Sequence, residues 1–582
     1  MNHIEINHVN LGLIGPVAGG NTGTSRHELL LSYSRSGAPT LKVVAADGCE
    51  KLLHSSYDPL QEARGLVDRF TFDGRGMVVV LGLGLGYHVE ELAARFPKAE
   101  LLVIEALPEC EQLARRHETV DFTRGRLTCL SGLAPAAALQ RVTEKQLLTG
   151  MPALALFALP AAVAAFTDYY QPLRETLAAS VDLNLSGRLR QRKFREPRRR
   201  VLLFDCGYFL TREVAVALAQ LGHQVERLHF TAQTPVNELL ADLVTRIATF
   251  RPDFCLTINH LGFDEEGGIA QFLHSIEMPS ASWFVDSPDL IIRGFGRNVS
   301  PFSALFVWDR TYLASMRQAG FEEVSYLPLA SDPDTFRRFP VGTAQVSRWA
   351  AQVGFVGNSM TMPLQDKLDK IHRPLHAVTE KLARRLSKQR TSLQEVFATL
   401  ETAEQQQFEG LEARERLDAE AAVTWQATLL YRRACIEQLR DFRPVIRGDQ
   451  GWRTLLDADF TLAPPLDYYR ELPFFYNACT VNFNATSLQM GTAVNQRLFD
   501  VPVCGGFLLT DHQEALEELF VVGEEVITYR DLAEIPDLVR FYLDNPAARE
   551  KVAGHGRERV LRQHTYRHRL QTLIETMQTR YS

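Results

Sequence analysis

Three glycines at alternate positions, Gly82, Gly84 and Gly86, close the apolar run that starts at Met77. Glycine allows a tight turn and close backbone approach, so that amides at the next helix N-terminus can face an anion. Glu105 ends the next apolar run, about 20 residues on, where a carboxylate can bind ribose hydroxyls. These four residues form a candidate nucleotide site; a remnant fold with an empty cleft is the alternative. The pattern departs from the dinucleotide fingerprint, whose third glycine would fall on Tyr87, and from the methyltransferase pattern, whose acidic residue falls on Val80. Asp286 follows Ser282-Trp-Phe-Val285 and precedes Ser287-Pro288, which puts a carboxylate at the C-terminal end of a strand. It can orient or deprotonate a hydroxyl there, or cap a turn before the proline. Asn259 and His260 leave another strand end and are acceptor-side candidates, although a lone histidine is more often structural.

These residues need strands to hold them. Met77-Val-Val-Val-Leu81, Val201-Leu-Leu-Phe204, Phe254-Cys-Leu-Thr-Ile258, Ser282-Trp-Phe-Val285, Ala304-Leu-Phe-Val-Trp308 and Gln352-Val-Gly-Phe-Val-Gly357 read as buried strands of parallel sheets. Helical patterns alternate with them, such as residues 90–96 and the stretch from Thr211 to Gly222. The expected organisation is a Rossmann-like domain over residues 1–186, a basic linker over 187–200, a second α/β domain over 201–345 and a third over 346–582. The third is interrupted at about 364–440 by a polar stretch with apolar residues at three- and four-residue spacing, read as one or two long helices in an antiparallel hairpin. That insertion is a candidate surface for homo-oligomers or acceptor contact, and equally a solvated structural element. The basic run, GRLRQRKFREPRRR, reads as a solvated linker, with docking to a phosphate-rich or acidic partner as the alternative.

Composition excludes several classes. The 582 residues are 46% hydrophobic and 23% charged, with formal net charge −7, which describes a globular protein and not a general nucleic-acid binder. The eight cysteines form no CxxC pair, so neither a zinc knuckle nor a disulfide framework is suggested, and a cytoplasmic location fits. MNHIEINHVN lacks the pattern of a signal peptide, and the apolar run 151–166 is too short and proline-broken to span a membrane.

Tandem Rossmann-like domains are the expected architecture of a GT-B glycosyltransferase, and ordered motifs extend that reading. They are Ser282-Trp-Phe-Val-Asp-Ser-Pro288, Leu305-Phe-Val-Trp-Asp309, Tyr326-Leu-Pro-Leu-Ala-Ser-Asp332, Phe355-Val-Gly-Asn-Ser359 and Pro444-Val-Ile-Arg-Gly448. Leu472-Pro-Phe-Phe-Tyr-Asn477, Thr480-Val-Asn-Phe-Asn484, Asn495-Gln-Arg-Leu-Phe-Asp500 and Cys504-Gly-Gly-Phe-Leu-Leu-Thr-Asp511 follow, then His564-Thr-Tyr566. From about Val201 onward this succession resembles CgeB-like (spore-maturation-type) glycosyltransferases. Residues 57–109 resemble the Rossmann-like domain of motility-associated-factor and pterin-diphosphokinase-like proteins, which include flagellin-modifying transferases.

The resemblance implies an α/β fold: a GT-B pair preceded by a further Rossmann-like domain, with a long α-helical insertion. It implies a nucleotide-sugar donor, a protein or surface-glycan acceptor, and no metal. Amides of Gly357, Asn358 and Ser359 would approach the donor diphosphate. Arg447, beside Gly448, would neutralise the leaving diphosphate, or form a surface ion pair. Asp500, where the family has glutamate, would hold the donor ribose with a side chain one methylene shorter. Tyr476, Asn477, Asn482, Asn484 and Arg497 would line the pocket, and Gly505 and Gly506 would let the backbone pass close to the donor. Asp457-Ala-Asp459 imitates a metal-binding D-x-D outside the expected strand context and is read as a chance match. Two other classes compete with this reading. One is a nucleotide- or S-adenosylmethionine-dependent transferase acting through the first domain; the other is a non-catalytic scaffold.

Overall fold

Strands buried on both faces need continuous apolar runs, and Met77–Leu81 and Phe254–Ile258 are buried at every position. The computed structural model describes residues 28–44, 49–149, 152–183, 189–292, 294–340, 344, 348–389 and 392–582. Among these, an antiparallel meander of β1 (Glu28–Tyr33), β2 (Pro39–Val44) and β3 (Glu50–Leu52) comes first. A parallel sheet follows, built from β4 (Met77–Leu81), β5 (Glu100–Glu105), β6 (Leu127–Ser131) and β7 (Leu154–Ala158) in the order β6-β5-β4-β7.

Two six-stranded parallel sheets make up the rest. The middle sheet holds β8 (Arg200–Asp205), β9 (Gln224–His229), β10 (Phe254–Ile258), β11 (Ser280–Phe284), β12 (Ser303–Val307) and β13 (Glu323–Tyr326), in the order β13-β12-β11-β10-β8-β9. The C-terminal sheet holds β14 (Ala351–Val356), β15 (Val445–Arg447), β16 (Thr461–Ala463), β17 (Cys479–Phe483), β18 (Leu508–Asp511) and β19 (Ile527–Tyr529), in the order β16-β15-β14-β17-β18-β19. Strand order therefore reverses between β8 and β10, and again between β14 and β17. In open α/β sheets such reversals open a crevice at the carboxyl ends of the strands.

The two large sheets share one core. Trp283 and Phe306 of the middle sheet pack in the same apolar cluster as Phe475, Phe499, Tyr566 and Leu573. The last helix, Tyr566–Tyr581, crosses back onto the helix Thr211–Gln220. Arg569 Nε donates to the carbonyls of Pro328 (3.0 Å) and Leu329 (3.1 Å), and Arg580 pairs with Glu322 (2.7 Å).

Two expectations need correction. Residues 189–200 are not a solvated linker but a strap seated on the middle domain. Phe194 is buried and stacks on Phe254, its amide donates to Asp253 Oδ1 (2.7 Å), and the buried Arg199 reaches Gln578 Oε1 (2.6 Å). Aromatic and aliphatic burial holds the strap down, while Arg192, Arg195 and Arg198 remain exposed. The insertion, likewise, is no simple hairpin. It contains helices Thr361–Leu368, Leu375–Gln389, Leu393–Phe397, Thr402–Glu409 and Ala413–Glu437 around a small core of their own, with Leu382, Leu386, Ala422 and Val423 at its centre. The last of these helices also buries Tyr431, Cys435 and Ile436 in the core of the C-terminal sheet, so it is part of that domain.

Candidate active site at the facing strand ends

The carboxyl ends of the two large sheets face each other. Asp309, just past β12, is fully buried and accepts from the amides of Thr492 (3.0 Å) and Ala493 (3.1 Å) and from Thr492 Oγ1 (2.7 Å) in the loop after β17. Tyr312 donates to the carbonyl of Gln489 (3.1 Å). Past β16, Tyr468 packs edge-on against Phe209, past β8, and Tyr469 donates to Glu213 (3.2 Å).

On the middle sheet, Asp286 stands past β11. Its Oδ2 accepts from Asn259 Nδ2 (2.7 Å) and from the hydroxyl of Tyr208, while Oδ1 makes no hydrogen bond among the described residues. Asn259 adopts a left-handed backbone (φ 52°), and its Oδ1 accepts from the amides of Val285 (2.8 Å) and Asp286 (3.2 Å). A single asparagine thus fixes both the strand end and the carboxylate at the β8/β10 reversal. Burial, and then Asp286 beside it, pushes the Tyr208 phenol up, so it acts as a donor. His260 turns the other way: it stacks on Phe263 (4.1 Å) and holds Ser282 Oγ (2.7 Å), and burial pulls it down to about 3, so it is neutral. Of the acceptor-side pair, only Asn259 joins Asp286.

On the C-terminal sheet, Gly357, Asn358 and Ser359 leave β14, Gly448 leaves β15 and Asn484 leaves β17. Gly357 N donates to the carbonyl of Arg447 (2.9 Å), and Ser359 N to Asp449 Oδ2 (3.1 Å). A Cβ on Gly448 would stand 2.2 Å from the carbonyl of Gly357, so this glycine lets two strand-end loops touch. Asn484 is buried, donating to Thr510 Oγ1 (2.9 Å) and accepting from Asn495 Nδ2 (2.9 Å). Arg497 comes to the Gly357 turn: its Nη2 lies 3.4 Å from where a Gly357 side chain would begin, and its Nε is buried with no partner among the described residues. A second guanidinium, Arg432 of the insertion helix, stands beside it. Burial, and then Arg497, pull Arg432 down to about 10.

Several expected positions lie elsewhere. The Arg447 side chain packs on the rings of Trp349 (4.8 Å) and Phe475 (5.3 Å), away from the turn, and its backbone carbonyl is what serves the loop. Asn477 precedes β17, and Gly505 and Gly506 precede β18, so they sit at the entering ends of those strands, whereas the buried Tyr476 carries its hydroxyl to Arg497 and forms a side-chain hydrogen bond with it. Asn477 holds the interdomain linker through Arg337 O (2.9 Å) and Phe339 N (2.9 Å). Gly505 (φ 78°) terminates the helix Arg497–Val503, and a Cβ on Gly506 would meet the Tyr476 carbonyl at 2.8 Å. Asn482 is buried inside β17 and donates to the carbonyls of Tyr476 (3.3 Å) and Phe507 (3.3 Å). Asp457 and Asp459 both pair with Arg440 (2.8 and 2.6 Å) on an exposed turn.

Asp500, only 1% exposed, accepts from Ser331 Oγ (2.6 Å) and Gln496 Nε2 (3.0 Å) on Oδ1 and from Tyr468 (2.8 Å) on Oδ2. Burial pushes its carboxyl up to about 7, against the pull of those donors; Glu213 adds to the rise. The folded protein therefore keeps a proton that the unfolded chain releases near pH 4, and the stability it confers is lost as pH rises through about 7. Asp500→Asn is expected to match wild type in Tm near pH 4, to gain on it progressively up to about pH 7, and at pH 8 to exceed it by on the order of 4 kcal/mol of unfolding free energy. Parallel Tm-versus-pH curves for the two proteins would refute this.

The glycine turn of the first domain is filled from within. Glu105 is buried, and its Oε2 accepts from the amides of Leu83 (2.7 Å) and Gly84 (3.1 Å), while Leu85 N donates to His54 Nε2 (2.7 Å). A Cβ on Gly82 would meet Ala162 at 2.5 Å, and one on Gly86 would meet Val120 at 2.2 Å. The glycines make room for protein, and the carboxylate meant for a ribose holds the turn's own amides. Two cavities, of about 470 and 440 Å³, also lie off the strand ends: one under Phe70, Phe72 and Leu154, the other between Gln220, Asp334 and His568.

Residues 431–575 match the family model described as Glycosyl transferase-like. With the facing sheets, this is a GT-B arrangement. Among curated proteins no sequence matches the chain. Solved structures similar to it include Anabaena Alr3699/HepE in complex with UDP-glucose, at 12% identity and TM-score 0.40, covering 66% of this chain and 100% of that one. Sucrose-phosphate synthase from Thermosynechococcus elongatus has 10% identity and TM-score 0.42 over 66% of this chain and 99% of its own. The MAf glycosyltransferase of Magnetospirillum magneticum AMB-1 has 12% identity and TM-score 0.19 over 54% of each chain. No helix among the described residues is long and apolar enough to cross a membrane.

Proposed function

We propose that the chain is a glycosyltransferase of CgeB-like type, moving a sugar from a nucleotide-sugar donor to a protein or surface-glycan acceptor between the facing strand ends. The observation that carries this is the approach of Arg497 to the Gly357 turn, at the β14/β17 reversal of a domain that matches a glycosyl transferase-like model. A guanidinium whose Nε has no partner among the described residues suits a diphosphate, whose charge Arg497 would neutralise. Across the cleft, Asp286 offers Oδ1 as the base that takes the proton of the acceptor hydroxyl, with Oδ2 anchored by Asn259 and Tyr208. Proton transfer to Asp286 leaves the hydroxyl oxygen free to attack the anomeric carbon; the bond from that carbon to the donor phosphate oxygen breaks, and the nucleotide departs with its phosphate charge toward Arg497.

The test is calorimetric titration of the full chain with UDP-, GDP- and CMP-sugars. One donor is expected to bind, and Arg497→Ala is expected to weaken it about 100-fold, the loss of a charge-assisted contact of roughly 3 kcal/mol. If no donor binds, or Arg497→Ala binds like wild type, the reading fails.

A further inference from the structure

The insertion helix Ala413–Glu437 presents Thr428, Tyr431, Arg432 and Cys435 on one face, at the three- and four-residue spacing of helix neighbours. All four reach the strand-end region. Leu488 N donates to Thr428 Oγ1 (3.0 Å), Tyr431 donates to Asp511 Oδ2 (3.4 Å) and Tyr529 donates to Cys435 Sγ (3.5 Å). Arg432 stands at the centre of this face and is 6% exposed. Its Nη1 donates to the carbonyl of Asn358 (2.9 Å), in the turn after β14, and its Nε to the carbonyl of Ala485 (3.2 Å), in the loop after β17.

Those two carbonyls belong to peptide groups with matching partners on the other side. A trans peptide points its N–H opposite to its C=O. The N–H of the 358–359 peptide donates to Asp449 Oδ2 (3.1 Å), and the N–H of the 485–486 peptide donates to Asp511 Oδ2 (3.1 Å). Each peptide is therefore held between the guanidinium and a carboxylate, and the two chains meet at Arg432. Charge at both ends polarises the peptides and strengthens each bond in the chain. The two loops clamped this way are the ones that flank the β14/β17 reversal.

We infer that Arg432 is a positioning residue: its guanidinium sets the spacing and orientation of the turns after β14 and β17, and so the width of the donor crevice between them. This rests on the donor reading of that crevice. Lysine keeps the charge but has a single nitrogen, which cannot reproduce two donors at a fixed planar spacing. Arg432 makes its hydrogen bonds to backbone and not to the ligand, so its effect passes through the loops to donor affinity.

The experiment uses the full chain and two variants, Arg432→Lys and Asp449→Asn. Amide hydrogen exchange at Ser359 and Thr486 reads the clamp without any ligand, and hydrolysis of a UDP-, GDP- or CMP-sugar accepted by wild type gives donor KM and kcat. For Arg432→Lys, exchange at both amides is expected to rise about 10-fold or more, and donor KM about 10-fold, with kcat changed less than about 3-fold. Asp449→Asn is expected to speed exchange at Ser359 and leave Thr486 unchanged. Unaltered exchange at both amides in Arg432→Lys would overturn the clamp. Faster exchange with an unchanged KM would overturn the positioning role while leaving the transferase reading intact. Absence of turnover by wild type with every donor would fall on the transferase reading, and the exchange data would still judge the clamp.

Discussion

Asp309→Ala is expected to lower the unfolding free energy of the full chain by about 3–5 kcal/mol, among the larger costs for a single buried site. The carboxylate is fully buried and receives the amides of Thr492 and Ala493 from the opposite domain, together with Thr311 N (3.0 Å) and two threonine hydroxyls. Alanine removes the acceptor and leaves three amides facing a void, each unpaired group costing about 1–3 kcal/mol. Asp309→Asn retains one acceptor oxygen and is expected to lose about half as much. The measurement is the urea midpoint followed by tryptophan fluorescence, since Trp308 is adjacent and buried. An Asp309→Ala midpoint within the error of wild type would show that the cleft wall is held by the shared apolar core alone.

Strands and their ends were the readable part of this sequence. A segment such as Met77–Leu81, buried at every residue, carries an unbroken apolar signal because helices cover both faces of its sheet. The residue just past such a strand must lie at the carboxyl edge, which is why Asp286, Asn259 and the Gly357 turn were locatable from spacing alone. Gly505, Gly506 and Asn477 show where that logic stops. Asn477 lies in the helix Leu472–Ala478 and the two glycines in the turn after the helix Arg497–Val503, each where the returning chain is about to enter a strand, so the quoted motifs run in the right order while these residues stand at the far edge. Motif order records succession along the chain and not which end of the sheet a residue occupies.

Arg432 was unreadable for a different reason. It sits beside Arg433 in a polar helix, yet the Arg433 side chain is 48% exposed while Arg432 is 6% exposed. Helical periodicity assigns both to a charged stretch, and only the packing of Tyr431 and Cys435 into the C-terminal sheet decides which guanidinium turns inward. The basic run near residue 194 did hold a signal. Leu189 and Phe194 are apolar residues among arginines, and burying them is what seats the strap.

The largest expected effect on chemistry is at Asp286. Under the proposed mechanism, Asp286→Asn is expected to reduce kcat for donor turnover by about 10²–10⁴-fold, the range for loss of a positioned general base. Donor affinity should hold within about 2-fold, because Arg497 and the Gly357 turn lie on the opposite wall. The asparagine oxygen can still accept from Asn259 and Tyr208, so the fold around the β8/β10 reversal should persist and Tm should move little. What disappears is the proton acceptor at Oδ1, the one oxygen of this carboxylate that protein donors leave open. The pairing of an unchanged calorimetric Kd with a collapsed kcat is what separates a base from a turn cap. A cap would keep both kcat and Tm, since its work lies in its bonds to Asn259 and Tyr208, which the asparagine oxygen can still accept. If Asp286→Asn turns over donor at the wild-type rate, proton removal belongs to another group on the cleft wall, and Asp286 serves the strand end alone.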